Sequence, residues 1–261
     1  MSQNAWEASV AGIGFWARGL PGWDAARAHV ADGRLPDAPP ARPSPQLLAP
    51  NERRRAPETV AVALEVALAA CTAAGRDPPT LASVFASTHG DLAITDYMCA
   101  TLAEQPDQIS PTRFHNSVHN AAAGYWTIGA GAMAPATSLS AFDATFAQGL
   151  VEACVQLAIG TEAVLLVAFD SAAAGPVGTV SPSAGLLGGA LVLSRGDGGP
   201  RLTLALRDGD APDIDGALLT RAPHNAMRPM LPLFEALATG APGCTLNAGP
   251  GRVLDVEIAH G

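Results

Sequence analysis

Two histidines, His115 and His119, stand four residues apart in HNSVH. On a helix this spacing puts both imidazoles on one face, close to the arrangement by which HExxH helices hold zinc. The middle position that would supply the general base is Asn116, not glutamate, and no third ligand is evident. The expected role is therefore a packed polar cluster at an interface or tunnel wall, with no metal and no cofactor. Thiol chemistry is no better supported. Cys71, Cys99, Cys154 and Cys244 are scattered without a CxxC pair, each in an apolar setting, and Cys154 lies inside EACVQLAIG, where a thiol behaves as a small hydrophobe. Ser138 and Ser140 alternate along an expected strand with no GxSxG elbow around them, and read as structural. The sequence contains no lysine, and all fifteen basic residues are arginine. That excludes a Schiff-base lysine, a P-loop lysine and a Ser–Lys pair.

The elements that must position these residues alternate. SVAGIGFWAR (8–17) reads as a strand, and the proline-rich stretch 34–50 as an irregular surface excursion. Residues 58–74 form a helix with a wide apolar face, closed by Gly75, and preceded by the arginine run Arg53–Arg55, a solvated edge. LASVFASTH (81–89) is a strand, 93–104 a helix, and 114–132 a small-residue helix suited to close packing. ATSLSAF (136–142) is a strand and 144–160 a buried helix. EAVLLVAFDS (162–171) is a continuous apolar run, as in a central strand covered on both faces. Segments 185–195 and 201–208 suggest a β-hairpin turning at Gly196-Asp197-Gly198-Gly199. A helix near 230–239 and strands CTLNAG and RVLDVEI finish the chain. Strands alternating with helices predict a layered α/β fold.

Composition narrows the partners. Of 261 residues, 48% are hydrophobic and 15% charged, with a net charge of −9. Nucleic-acid binders favour a basic face, so that class is excluded. An acidic surface is also poorly suited as the principal dock for an acidic carrier protein. Unpaired, scattered cysteines fit a reduced protein of the cytoplasm. No signal peptide is evident, and no apolar run reaches the ~18 residues of a membrane span.

The order of motifs resembles the N-terminal half of β-ketoacyl synthases of the thiolase-like fold. VAGIGFWARGLPGWDAARAHVADGR is similar to their opening strand, glycine turn and tryptophan-bearing helix, and LLAPNERRRAPETVAVALEVALAAC to the arginine-marked entry into the first long helix. SPTRFHNSVHNAAAGYWTIGAGA resembles the segment with an asparagine, here Asn120, before a small-residue helix. MAPATSLSAFDATFAQGLVEA resembles the strand–elbow–helix that carries the nucleophile, and EAVLLVAFDSA and GLLGGALVLSRG resemble the strands that follow. The resemblance implies a thiolase-like layered α/β/α fold, with a complete N-terminal ketosynthase half over 1–195 and an abbreviated C-terminal portion, 196–261, packed on it as one compact unit.

The departures are as informative. Where ketosynthases place a cysteine at a helix N-terminus, this chain has Asp143, which suits a helix dipole but cannot form an acyl thioester. The lysine and histidines of the family's second half have no counterpart; HNAMRP (224–229) holds a histidine in surroundings that match neither family motif. The resemblance implies a silent subunit of the chain-length-factor type, about the length of those in aryl-polyene and xanthomonadin-type pigment synthesis. Such a subunit pairs with an active ketosynthase as a heterodimer and meets the carrier-bound acyl chain through that partner. Phe114, His115, Val118, His119, Asn120, Tyr125, Trp126 and Phe142 are then expected at the interface or tunnel, with the bulky side chains Phe114, Val118, Tyr125, Trp126 and Phe142 as candidate lining or plug. Two alternatives stay open: a self-contained acyl-thioester decarboxylase or hydrolase using Asp143 or a His115/His119 metal, and a homodimeric acyl-binding protein.

Overall fold

In the computed structural model, residues 5–196 and 198–260 are described. The strands are β1 (Trp6–Ala17), β2 (Ala82–Ala86), β3 (Ala136–Leu139), β4 (Ala163–Asp170), β5 (Leu187–Ser194), β6 (Arg201–Asp208), β7 (Gly243–Gly249) and β8 (Arg252–Ala259). The helices are α1 (Trp23–Asp32), α2 (Pro50–Arg55), α3 (Glu58–Ala73), α4 (Leu92–Glu104), α5 (Pro111–Ser117), α6 (Ala121–Ala130), α7 (Thr145–Ala158), α8 (Gly175–Val180) and α9 (Leu231–Thr239). The strands form one eight-stranded sheet in the order β3-β2-β4-β5-β1-β6-β8-β7. β3, β2 and β4 are parallel, and every other pairing is antiparallel. This is the thiolase-like layered α/β architecture that the motif order implies.

The expected hairpin between 185–195 and 201–208 does not form. β1 is twelve residues long and lies between the two strands, pairing with β5 along Ser9–Ala17 and with β6 along Trp6–Ser9. One long strand thus joins the two ends of the sheet, and Val10 N donates to Pro200 O at 2.9 Å where the chain passes over it. Asp197, within the expected turn, lies outside the described residues.

The core is built on both faces. α3 and α6 pack on one face, with Val62, Val66 and Trp126 meeting Phe85, Leu165 and Val192. α7 and α9 lie on the other and also contact β7, so β6, β8 and β7 fold over them as a wing. The wing alternates as a strand with one wet face must: Leu202, Leu204, Leu254 and Val256 are buried, whereas Arg201, Arg207 and Glu257 are exposed. α3 lies directly on β1 because Gly12 and Gly14 have no side chains; a Cβ on Gly14 would sit 2.0 Å from Val66 O. α3 ends as its sequence predicts: Gly75 takes φ 60°, donates to Thr72 O, and Arg76 N reaches back to Cys71 O.

Two further expectations change. The 114–132 segment is two helices broken at Val118-His119-Asn120, where Val118 is extended (φ −74°, ψ 141°). Asn116, Ser117 and Val118 are weak helix formers in succession, and tertiary bonds take over. The strand expected over 136–142 stops at Leu139. No helix among the described residues is long and apolar enough to cross a membrane.

Candidate functional site

The carboxyl ends of the parallel strands β2, β3 and β4 meet at one end of the sheet, the place where open α/β sheets hold ligands. After β3, Ser140 Oγ donates to Thr88 O at 2.9 Å, tying the strand's exit to the end of β2. Ala141 N then donates to Thr145 Oγ1 at 2.9 Å, and the same hydroxyl donates to Phe142 O at 2.6 Å. These bonds hold a 3-10 turn, Phe142–Ala144, that feeds α7. Within it Phe142 has φ 49°, the only positive φ on a non-glycine among the described residues. Such backbone costs about 1 kcal/mol or more and persists only where its surroundings enforce it. Phe142 is 75% exposed despite its ring.

Asp143 follows, also exposed. It lines a cavity of about 550 Å³ together with Asp213, His224, Arg228 and Asn247, over walls rich in proline. It also borders a second hollow of about 500 Å³ lined by Asp210, Asn247 and Arg252. Arg228 Nη2 stands 3.9 Å from Asp213 Oδ1, and Arg252 Nε 3.3 Å from Asp208 Oδ1. Asp143 and His224 therefore share one cavity, which the motif reading missed because HNAMRP matches no family pattern. No local signal marked it, since HNAMRP and TLNAG come beside the same turn only in the folded chain.

Beneath the turn lies a buried polar hub. Asp170, at the end of β4, is fully buried and accepts from Ser87 Oγ (2.8 Å), Thr88 N (3.0 Å) and His89 N (3.1 Å). Burial pushes its carboxyl above the usual carboxylate range, while these hydrogen bonds hold it down. Gly90 N donates to Ser87 Oγ at 2.8 Å, and His89 Nε2 pairs with Ser181 Oγ at 2.8 Å. Asn225 closes the hub from the other side, donating to Asp170 O at 3.1 Å. The hub was not foreseen: a lone carboxylate ending an apolar run carries no sequence sign of its partners.

The expected site residues fall in several places. His115 and His119 do not share a helical face, since α5 ends between them. His119 Nε2 is 2.8 Å from Ser87 O, whereas the His115 ring is 5.6 Å from Tyr125. Among the described residues no group of three or more His, Cys, Asp or Glu could hold a metal. Tyr125 is half-buried and donates to Asn116 Oδ1 at 3.0 Å. Trp126 has no exposed surface; its ring centroid is 6.4 Å from that of Phe85, so it is core and not a tunnel wall. Phe114 and Val118 are exposed, at 60% and 40%, and Asn120 is exposed at the start of α6. Cys71, Cys154 and Cys244 have thiols pushed up to about 12 by burial, so none is an activated nucleophile. Cys99 departs from the expected apolar setting and is exposed on α4.

The sheet order, the covered central strands and a strained turn delivering one side chain to a helix start define a thiolase-like condensing-enzyme fold. The chain belongs to the β-ketoacyl synthase family: the family model for the β-ketoacyl synthase N-terminal domain matches residues 23–248. Among solved structures it is similar to a chain of nearly equal length in the ketosynthase (ApeO) in complex with its chain length factor (ApeC) from Xenorhabdus doucetiae. That match has 23% identity and a TM-score of 0.74, covering 96% of this chain and 98% of that one. The ishigamide ketosynthase/chain length factor matches at 14% identity and TM-score 0.72, over 98% and 99% of the two chains. A β-ketoacyl synthase from Burkholderia phymatum STM815 matches at 14% and 0.55, over 72% of this chain and 59% of that one. At these identities the likeness is one of fold. No curated protein matches the sequence.

Proposed function

We propose that this chain is a catalytically silent member of the β-ketoacyl synthase family that pairs with an active ketosynthase as its chain length factor and shapes the tunnel for the growing acyl chain, as in aryl-polyene-type synthesis. The observation that carries this is Asp143. It sits in the strained turn between β3 and α7, the position that the motif resemblance sets against the family's thiolate, and a carboxylate there cannot hold a thioester. The chain has no lysine to complete the family's machinery. Residues 1–195 then act as the ketosynthase-like half and 196–261 as a shortened C-terminal portion.

The surface supports a partner. Ile128 (77% exposed), Met133 (96%), Phe142 (75%) and Ile159 (80%) are large apolar side chains on or beside the elements flanking β3. β3 is itself a sheet edge with one side unpaired. Exposed apolar side chains around an open edge strand mark an interface and a self-association hazard. Phe114, Val118, Tyr125 and Phe142 remain the candidates for meeting the acyl chain, with His115, His119 and Asn120 beside them.

Co-expression with an active ketosynthase from the same organism, followed by size-exclusion chromatography and a carrier-bound elongation assay, tests this. A stable one-to-one pair that alone makes long products supports it; a homodimer that ignores the ketosynthase overturns it. The second reading, a stand-alone acyl-thioester decarboxylase or hydrolase, draws on one observation, that His224 lines the same cavity as Asp143. It requires turnover by the chain alone that is lost in Asp143→Asn.

A further inference from the structure

We infer that Asp143, together with Asp210, acts as an electrostatic bar that keeps anionic thioesters out of this chain's own residual pocket, leaving the partner's pocket as the one that is loaded; this rests on the silent-subunit role proposed above.

The two hollows beside the turn share Asp143, Ala211 and Asn247 as common walls. At about 550 and 500 Å³, each is large enough for a small-molecule group, so volume alone does not keep ligands out. The charges do. Arg228 has Asp213 beside it and Arg252 has Asp208, so each cation near the hollows already faces a carboxylate. Asp143 and Asp210 make no ion pair among the described residues. A ligand entering the first hollow meets the unpaired Asp143 carboxylate, with His224 in the same wall, and one entering the second meets Asp143 and Asp210 together. A malonyl carboxylate or a phosphopantetheine phosphate is repelled; a neutral acyl group of the same size is not. Asparagine at position 143 would abolish thioester formation equally well, so loss of the nucleophile alone does not require a charge. A bar against misloading does.

The test uses two probes of similar size differing by one charge, S-malonyl-pantetheine and S-propionyl-pantetheine, both lacking the phosphate. Binding to the full chain is measured by saturation-transfer NMR at pH 8. The wild type is expected to bind the propionyl probe at least about five-fold more tightly than the malonyl probe at low salt, the scale of two partly solvated unit charges. The ratio should fall to about two or less in Asp143→Asn/Asp210→Asn, and also in wild type at 1 M salt, where the screening length is about 3 Å. The propionyl affinity should stay the same in the variant.

An unchanged ratio in the double variant overturns the inference, as does failure of the propionyl probe to bind either form or of the malonyl probe to bind the double variant. Circular dichroism confirms that the variant is folded. Pair formation with the ketosynthase is scored separately by size exclusion: pairing with no change in probe selectivity sinks this inference alone, whereas loss of pairing with intact selectivity sinks only the chain-length-factor role.

Discussion

Ser87 Oγ donates to Asp170 Oδ1 at 2.8 Å in the closed interior, binding the carboxyl end of β2 to that of β4 beneath the turn that presents Asp143. The pair has to be read with its sign. Burial raises the Asp170 carboxyl, so the folded chain holds the proton more tightly than the unfolded chain does. This group's contribution is fully present below the unfolded value near 4 and is lost as pH rises through the raised folded value.

The Asp170→Asn variant isolates that effect. In urea titrations from pH 4 upward, wild type should lose stability across this window relative to the variant, whose amide does not titrate. At pH 4 the variant should be less stable by about 1–3 kcal/mol, because its amide NH2 faces the backbone donors Thr88 N or His89 N and leaves one unsatisfied. Parallel stability curves for the two proteins would show that Asp170 carries no such burden.

The seating of α3 on β1 gives a harsher outcome. A Cβ at Gly14 would lie 2.0 Å from Val66 O, a backbone atom with no room to move. Gly14→Ala is expected to cost about 3 kcal/mol or more, read as a fall in the urea midpoint. Gly124→Ala, with nothing within 4 Å of the added carbon, should be neutral or slightly stabilising as a helix substitution.

The strain at Phe142 separates backbone from side chain. Phe142→Gly removes the left-handed penalty and should leave the isolated chain as stable or up to about 1 kcal/mol more so, a rise of about 2–4 °C in melting temperature at most. Phe142→Ala keeps a Cβ and should give no such gain. Both lose the exposed ring, so both should weaken association with the ketosynthase in a pull-down. A melting temperature that falls with glycine would place the ring's packing above the backbone strain.

Trp126 and Phe114 divide the expected tunnel residues into core and surface. Trp126→Ala should cost about 3–5 kcal/mol by opening a cavity against Phe85, measured by denaturation, with any change in product following from loss of protein. Phe114→Ala, at an exposed position, should shift stability by less than about 0.5 kcal/mol. If Phe114 meets the acyl chain, the same variant should lengthen the products of the intact pair, resolved by mass spectrometry.

What the sequence carried and what it hid follow from the reach of each signal. β4 and α3 were legible because a covered strand must be apolar throughout and a helix between layers must present small and branched residues on a wide face. The neighbours of β5 and β6 were not, since nothing in GLLGGALVLSR and RLTLALRD tells that β1 is long enough to lie between them. The His115/His119 spacing suggested a shared face only while the helix was assumed continuous; the bond from His119 to Ser87 O is a long-range contact that local propensity cannot express. The turn at Asp143 was readable from its motif, whereas the approach of His224 exists only once the chain has folded.

The open edge of β3 provides the last expectation. Pro135 O and Leu139 O accept from Ser83 N and Ser87 N of the β2 side, so in this parallel ladder Ala136 and Ser138, one position off, turn their backbone groups to the unpaired side. Ser138→Pro removes an outward N–H without taking a bond from the β2 ladder, which edge strands tolerate. If the ketosynthase adds its own strand here, the variant should fold with a melting temperature close to that of wild type yet fail to co-elute with the ketosynthase. Ser138→Ala, which keeps the N–H, should co-elute normally. Co-elution of the proline variant at wild-type strength would move the interface away from this edge and onto the exposed apolar side chains alone.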